Sequence, residues 1–370
     1  MKVGIITFHR AINYGALLQV YALQKEIGKT GCTSEVLDYR CEIIENVYKP
    51  FKLKGLESIK HFAYLVLHYP IKRSKINKFR QFTNRYISIG RKMESSDSDI
   101  NDIWNNSADK YDLIITGSDQ VWNCNCTNFD KRYFLNFNNP HTRKASYAAS
   151  FGFNEIPQEY IKEYQELLED FDRISVREIQ GVKIMEDLLK RQVPTVLDPT
   201  LLLGKDEWSS IAKEIKVKKN YILVYLIVNS RTIFEFAEEL SKKTGYDIIC
   251  ISDDLVKKFD SNYARGIGPE EFLGLFKNAS YVVTNSFHGT AFSVGFEKDF
   301  FTELLEPPSN VNSRLVNILE LLGLEERQII NGKNSNFNNS INYEKVNRKL
   351  EIERKKSRDY LKSILRKEHE

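Results

Sequence analysis

The sequence predicts an α/β protein of two domains, each a parallel sheet with helices on both faces. Three observations carry this expectation. Short β-branched runs alternate with helical patterns along the chain. A length of 370 residues with 42% apolar content lies near the size at which a single core divides. The polar residues that stand out gather just beyond the carboxyl ends of the predicted strands, where parallel sheets bind their ligands.

Taken in order, the chain opens with an apolar run over residues 3–8, read as a strand, and a helical pattern over 16–29. Further strands are expected at 35–39, 112–116, 145–149, 173–176, 195–197, 221–228, 247–251, 281–284 and 300–303, with helical patterns between most of them. The domain break is placed at 172/173, where a charged helix ends and a second sheet can start. This gives a first domain at 1–172, carrying a basic helical excursion at 49–92, and a second at 173–332. The Asn- and Ser-rich stretch 331–342 reads as a linker, with the remainder of 333–370 a helix holding Val346, Leu350, Tyr360, Leu361 and Ile364 at helical spacing.

Composition narrows the function classes. The start of the chain lacks the apolar h-region of a secretory signal, and no window reaches the roughly 18 to 20 apolar residues of a membrane span, so a cytoplasmic protein is expected. The five cysteines are scattered and odd in number, which argues against a disulfide framework. Cys124 and Cys126 lack a second Cys or His pair at ligand spacing, so no metal site is expected. A nucleic-acid role has a basic stretch behind it but no motif.

Four strand-end motifs could carry chemistry. In Thr284-Asn285-Ser286-Phe287-His288-Gly289-Thr290-Ala291-Phe292 a buried strand turns into a helix expected to start near Gly289. A helix start is an anion site, so the amides of Gly289 and Thr290 and the hydroxyls of Ser286 and Thr290 are candidate phosphate or carboxylate ligands, with His288 at their edge. Asn13-Tyr14-Gly15 makes a second strand-to-helix turn, with Asn13 placed to cap and Gly15 to admit close approach. Neither has the spacing of a dinucleotide fingerprint or a phosphate loop. Gly117-Ser118-Asp119-Gln120-Val121-Trp122-Asn123 packs hydroxyl, carboxylate, amide and indole groups into seven residues, a mixture that suits sugar hydroxyls or a hydrogen-bonded turn around a buried Trp. Arg177, at the end of Ile174-Ser175-Val176, can fork a carboxylate or phosphate, or pair with Glu178 or Asp172. Asp198-Pro199-Thr200 reads as a turn and helix start.

Together these segments resemble the polysaccharide pyruvyl transferase family. The matching stretches are Gly4 to Leu23, the Gly117 to Asn123 motif, Tyr147-Ala148-Ala149-Ser150-Phe151-Gly152, Ile174 to Glu178, Val196-Leu197-Asp198-Pro199-Thr200 and Asn285 to Phe292. The resemblance implies two Rossmann-like domains facing a cleft, as in the GT-B glycosyltransferases. It also implies phosphoenolpyruvate as donor, no metal and no cofactor. The product would be a pyruvyl ketal on a surface-polysaccharide building block. His288 is then the general acid or base and Arg177 a ligand of the donor anion. Ser286, Gly289 and Thr290 complete the donor side. Asn13, Tyr14, Gly15, Ser118, Asp119, Gln120 and Trp122 face the acceptor. One departure stands out: family members often carry Arg-x-His where this chain has Ser286-Phe287-His288, and Arg314 is the residue assigned to supply the missing charge. Two other readings keep the same segments: a nucleotide-sugar glycosyltransferase, and a non-catalytic saccharide-binding assembly protein.

The charge is uneven. Between residues 49 and 92 twelve Lys or Arg stand against one acid, Glu57, around a largely apolar core at 61–71. This is either an interfacial segment holding the protein at a membrane that carries a polyprenyl-diphosphate-linked acceptor, or a helix that packs its apolar face on the first domain and solvates its basic face.

Overall fold

The computed structural model describes residues 1–48, 59–94, 100–217, 220–255, 261–305, 312–334 and 339–366. The chain divides into two units that exchange segments. One comprises 1–48, 83–202 and 350–370, the other 49–82 and 203–349.

In the first unit β1 (Lys2–Ile6), β2 (Thr33–Arg40), β3 (Ile89–Glu94), β4 (Leu113–Thr116) and β5 (Arg143–Ser146) form an all-parallel sheet in the order β3-β2-β1-β4-β5. In the second, β6 (Tyr221–Tyr225), β7 (Asp247–Ile251), β8 (Asn262–Ala264), β9 (Tyr281–Thr284), β10 (Asp299–Glu303) and β11 (Gln328–Ile329) form another, in the order β11-β10-β9-β6-β7-β8. Both are doubly wound Rossmann-type sheets: in each, the first strand of the unit is flanked on opposite sides by its second and its fourth. The strand order therefore reverses between β1 and β4 and again between β6 and β9, and such reversals open a crevice beyond the carboxyl ends. The most central strand of the second sheet, Tyr221–Tyr225, is buried along its whole length, because helices cover both faces. One core gathers Trp122, Phe134, Phe151, Tyr164 and Phe171 under the first sheet, and another gathers Ile222, Phe234, Phe236 and Phe301 under the second.

The division differs from the expected break at 172/173. Residues 173–176 begin no second sheet; Arg173 bridges to Ala145, Val176 to Ala149 and to Thr195, so this stretch extends the first sheet and the unit continues to Leu202. The helix Tyr343–Leu365 is not an appendage. Its later turns return to the first unit, where Ser357 Oγ accepts the Leu197 amide (2.9 Å), Arg354 Nε donates to the Leu201 carbonyl (2.6 Å) and Tyr360 donates to the Ser146 carbonyl (2.9 Å). Of the basic excursion, the described residues up to Phe82 belong to the second unit, whereas residues 83–92 belong to the first, where Ile89–Glu94 is β3. The buried His68 ring lies 2.6 Å from the Asp253 carbonyl, Lys75 pairs with Asp253 (2.8 Å) and Lys78 with Glu271 (2.7 Å). Residues 49–58 of that excursion lie outside the described residues.

Three strands, β3, β8 and β11, were not expected from the sequence. All three lie at sheet edges, pair on one side, and are short or polar. Conversely, the run expected at 221–228 ends at Tyr225.

Candidate functional site

That early end of β6 leads to the first functional feature. At the strand-order reversal of the second sheet, the buried Asn285, directly after β9, reaches across to the loop after β6. Its Oδ1 accepts the Ile227 amide (3.0 Å) and its Nδ2 donates to the Val228 carbonyl (2.8 Å). The side chain replaces ladder bonds that β9 would otherwise make, so the crevice floor is an amide clasp. Thr284 seals it from below by donating to the Tyr225 carbonyl (2.5 Å).

Ser286 then caps the helix Phe287–Gly295, with Oγ accepting the Gly289 amide at 3.2 Å. The helix thus starts two residues earlier than expected. The Gly289 and Thr290 amides, assigned by sequence to an anion, are bonded within the helix start, Gly289 to the Ser286 hydroxyl and Thr290 to the Ser286 carbonyl (2.9 Å). Thr290 is fully buried, its hydroxyl 3.4 Å from that of Thr302, and so packs the helix on β10. Gly289 is glycine for contact reasons, since a Cβ there would stand 2.3 Å from Thr284 Oγ1. The amides that open the helix are those of Phe287 and His288, and the His288 side chain is 8% exposed at this mouth. Arg314, also buried, lies on the helix Asn312–Leu322, which packs against the His288 helix.

The first unit carries a matching feature. At its reversal Thr7, after β1, donates to the Ser118 carbonyl after β4 (2.7 Å), and Gln19 from the helix Tyr14–Gly28 donates to Thr7 (2.9 Å). Behind this bridge lies a buried ionic network. Arg177 Nη1 donates to Asp198 Oδ2 (2.9 Å), Ser118 Oγ donates to the same oxygen (2.8 Å), and Thr200 fills Asp198 Oδ1 through its amide and hydroxyl. Glu178 Oε2 lies 3.7 Å from Arg177 Nε and Asp119 Oδ1 lies 3.9 Å from Nη2, while Ser150 donates to Glu178 (2.7 Å). Burial lowers the Arg177 pKa, but Asp198, Glu178 and Asp119 outweigh it and hold the guanidinium above its ordinary value.

Asp198, Glu178 and Asp119 thus surround the buried Arg177 guanidinium. Buried and committed to Asp198, Arg177 is corrected from an open donor ligand to a residue that supports Ser118 and Asp119 from behind. Asp119 is the network's accessible member. It adopts φ +88°, a conformation strained for a residue with a Cβ, and is fixed there because its carbonyl accepts the Ser150 amide and its carboxylate accepts the Gln120 amide.

The other acceptor candidates divide. Asn13 caps the first helix by accepting the Ala16 amide (3.1 Å), with Tyr14 and Gly15 buried in its first turn. Gln120 is half-buried and accepts from Asn123 (2.7 Å). Trp122 and Ser118 are fully buried, so neither can stack on or contact a sugar. Trp122 donates from Nε1 to the Tyr133 carbonyl (3.2 Å) among Phe134, Phe151 and Phe171.

Sequence reasoning passed over a pair beside Asn13. His9, buried just after β1, lies with Nε2 3.0 Å from Asp38 Oδ1 and Nδ1 3.1 Å from the Thr7 carbonyl, while Arg40 donates to Asp38 Oδ2 (3.1 Å). The position of His9 directly after a strand was the available signal. Asn285 is the other omission, noted within its motif but given no role. Among the described residues no group of three or more His, Cys, Asp or Glu is placed to hold a metal ion, and no helix is long and apolar enough to cross a membrane.

A family model described as polysaccharide pyruvyl transferase matches residues 13–302, most of the chain. A search of curated proteins finds no match. Among solved structures, UDP-GlcNAc 2-epimerase from Methanocaldococcus jannaschii aligns at 14% identity over 99% of each chain, with a TM-score of 0.49. An alpha-glucosyltransferase solved with UDP and DNA aligns at 11% identity over 98% of this chain and 95% of that one, with a TM-score of 0.47. E. coli ADP-heptose lps heptosyltransferase II aligns at 9% identity over 96% and 99%, with a TM-score of 0.38.

Proposed function

Because the chain belongs to the polysaccharide pyruvyl transferase family, we propose that it transfers the pyruvyl group of phosphoenolpyruvate to a pair of sugar hydroxyls, forming a ketal. The reaction is assigned to the cytoplasm, needs no cofactor, and uses a saccharide acceptor carried on a polyprenyl diphosphate.

The observation that carries this reading is His288 at the mouth of a helix whose start is held by Ser286, beyond a crevice floor clasped by Asn285. His288 delivers a proton to the donor methylene, converting it to the methyl group and leaving positive charge on the adjacent carbon. A sugar oxygen attacks that carbon and gives its proton to His288, which its own donation has left as the base. Phosphate leaves with the bonding pair. The second hydroxyl attacks the same carbon and loses its proton, so one donor and one diol give one ketal and inorganic phosphate. The helix start and Arg314 take the phosphate charge.

The test incubates the protein with phosphoenolpyruvate and a panel of lipid-linked sugars, and follows the acceptor for a pyruvyl mass increment with stoichiometric phosphate. Replacing His288 with Gln is expected to cut turnover by about 10²- to 10⁴-fold while leaving the thermal transition in place. Stabilisation by a nucleoside diphosphate sugar, with none by phosphoenolpyruvate, would overturn the proposal in favour of a glycosyltransferase. Acceptor binding without phosphate release from any donor would make the protein a non-catalytic saccharide binder.

A further inference from the structure

We infer that the helix Ile59–Tyr86 is a docking surface for an anionic lipid membrane. The inference rests on the stretch around Val66 and Leu67, which departs from the usual amphipathic arrangement, while the later turns bury Phe79 and Phe82 in the usual way. A helix on a protein surface normally buries its apolar residues and solvates its charges. Here polar groups anchor the helix to its own unit: His68 to the Asp253 carbonyl, Lys75 to the Asp253 carboxylate and Lys78 to Glu271. The backbone comes close as well, since a Cβ on Gly266 would stand 3.0 Å from the Ile71 carbonyl.

Large apolar side chains are left in solvent. Leu67 is 67% exposed, more than any other large hydrophobic residue among those described, and Val66 is 48% exposed. Tyr64, at 36%, adjoins them. Charge follows the same face. Val66, Arg73 and Arg80 are seven residues apart and so fall on one stripe of the helix, and both arginines are exposed. The helix has 28 residues and not one acid among them. Lys75 and Lys78 are neutralised inward by Asp253 and Glu271, whereas Arg73 and Arg80 share the stripe of Val66.

An apolar tip beside unneutralised cations matches a phospholipid leaflet with anionic headgroups, where aliphatic side chains enter the acyl boundary and arginines meet phosphate. A second protein copy would present this same cationic stripe to itself, and like charges would oppose the contact. The inference deepens the proposed function by placing the enzyme where a lipid-linked acceptor is found. It is nevertheless testable without any activity.

The test is flotation of the full chain with vesicles of phosphatidylcholine alone, or of phosphatidylcholine mixed with phosphatidylglycerol. Binding is expected to the mixed vesicles, falling as salt is raised, with little to the neutral ones. Leu67→Asp should weaken it by about tenfold, and Arg73→Glu and Arg80→Glu each by about fivefold. These side chains are exposed, so far-ultraviolet dichroism and the thermal transition should match the parent. Pyruvyl transfer to a water-soluble acceptor should also be unchanged. Absence of binding to anionic vesicles, or binding indifferent to all three substitutions, overturns the inference while leaving the transferase reading intact. So does a dimer in sedimentation that Leu67→Asp dissociates, because it would assign the patch to a second copy. Failure of transfer with vesicle binding preserved would count against the proposed reaction alone.

Discussion

Arg177 donates from Nη1 to Oδ2 of Asp198 at 2.9 Å, and the two side chains are among the most buried charges in the first unit. Every acceptor position on Asp198 is filled by Arg177, Ser118 and Thr200. The pair is therefore a strut under the Asp119 loop, and its energetics are those of a buried ion pair: removing one partner strands the other.

Arg177→Ala is accordingly expected to destabilise the protein by about 3–5 kcal/mol in urea unfolding, because it leaves Asp198 and Glu178 buried without their cation. Arg177→Lys keeps the charge but loses the fork, and should fall between parent and Ala in stability while leaving the affinity for phosphoenolpyruvate unchanged. If Arg177→Lys instead has parental stability and a sharply weakened donor affinity, Arg177 is an anion ligand and the strut assignment is wrong.

A second prediction concerns the amide clasp. Asn285→Asp puts an oxygen where Nδ2 now donates to the Val228 carbonyl at 2.8 Å, in a side chain with no exposed surface. Asn285→Ala leaves the Ile227 amide and Val228 carbonyl to find water. The alanine variant should lose about 1–3 kcal/mol, with the aspartate variant losing more, since a buried carboxylate against a carbonyl adds repulsion and desolvation. Urea midpoints should fall without change in the slope. Equal stability of the aspartate variant and parent would mean that the loop after β6 is not held by this side chain.

The contrast between these two sites shows what the sequence could convey. The sheets were legible because strands such as Tyr221–Tyr225 and Leu113–Thr116 carry buried, largely apolar runs, and the loops carrying the site were legible because their polar residues follow such strands directly. Edge strands were not, because β3 carries Gly90, Arg91 and Lys92 and needs only one paired side. Roles were harder still. Asp198 lies 21 residues from Arg177, and nothing local shows that it folds back to claim the guanidinium. Trp122 looked like a sugar platform because hydroxyl and amide groups flank it, yet the indole turns inward to the Tyr133 carbonyl. The polarity of the helix Ile59–Tyr86 was read correctly as basic and apolar, but which face would be buried depended on Asp253 and Glu271, far along the chain.

The last prediction concerns acid. Burial raises the Asp38 pKa, but the hydrogen bond with His9, the charge of Arg10 and the bond from Arg40 outweigh it and hold the carboxyl well below the usual carboxylate range. An unfolded Asp titrates near about 3.9. A group whose folded pKa is depressed contributes stability that is fully present above the unfolded value and is lost as pH falls from there toward the folded one. The parent should therefore lose the Asp38 contribution only below about pH 4, whereas Asp38→Asn lacks it at every pH. Urea unfolding at a series of pH values from neutral to about 3 reads this directly. The stability gap between parent and Asp38→Asn should be constant down to about pH 5 and narrow below about 4. A gap that stays constant across the whole range would mean that the Asp38 carboxyl is not depressed by its partners, and that the substitution acts through packing alone.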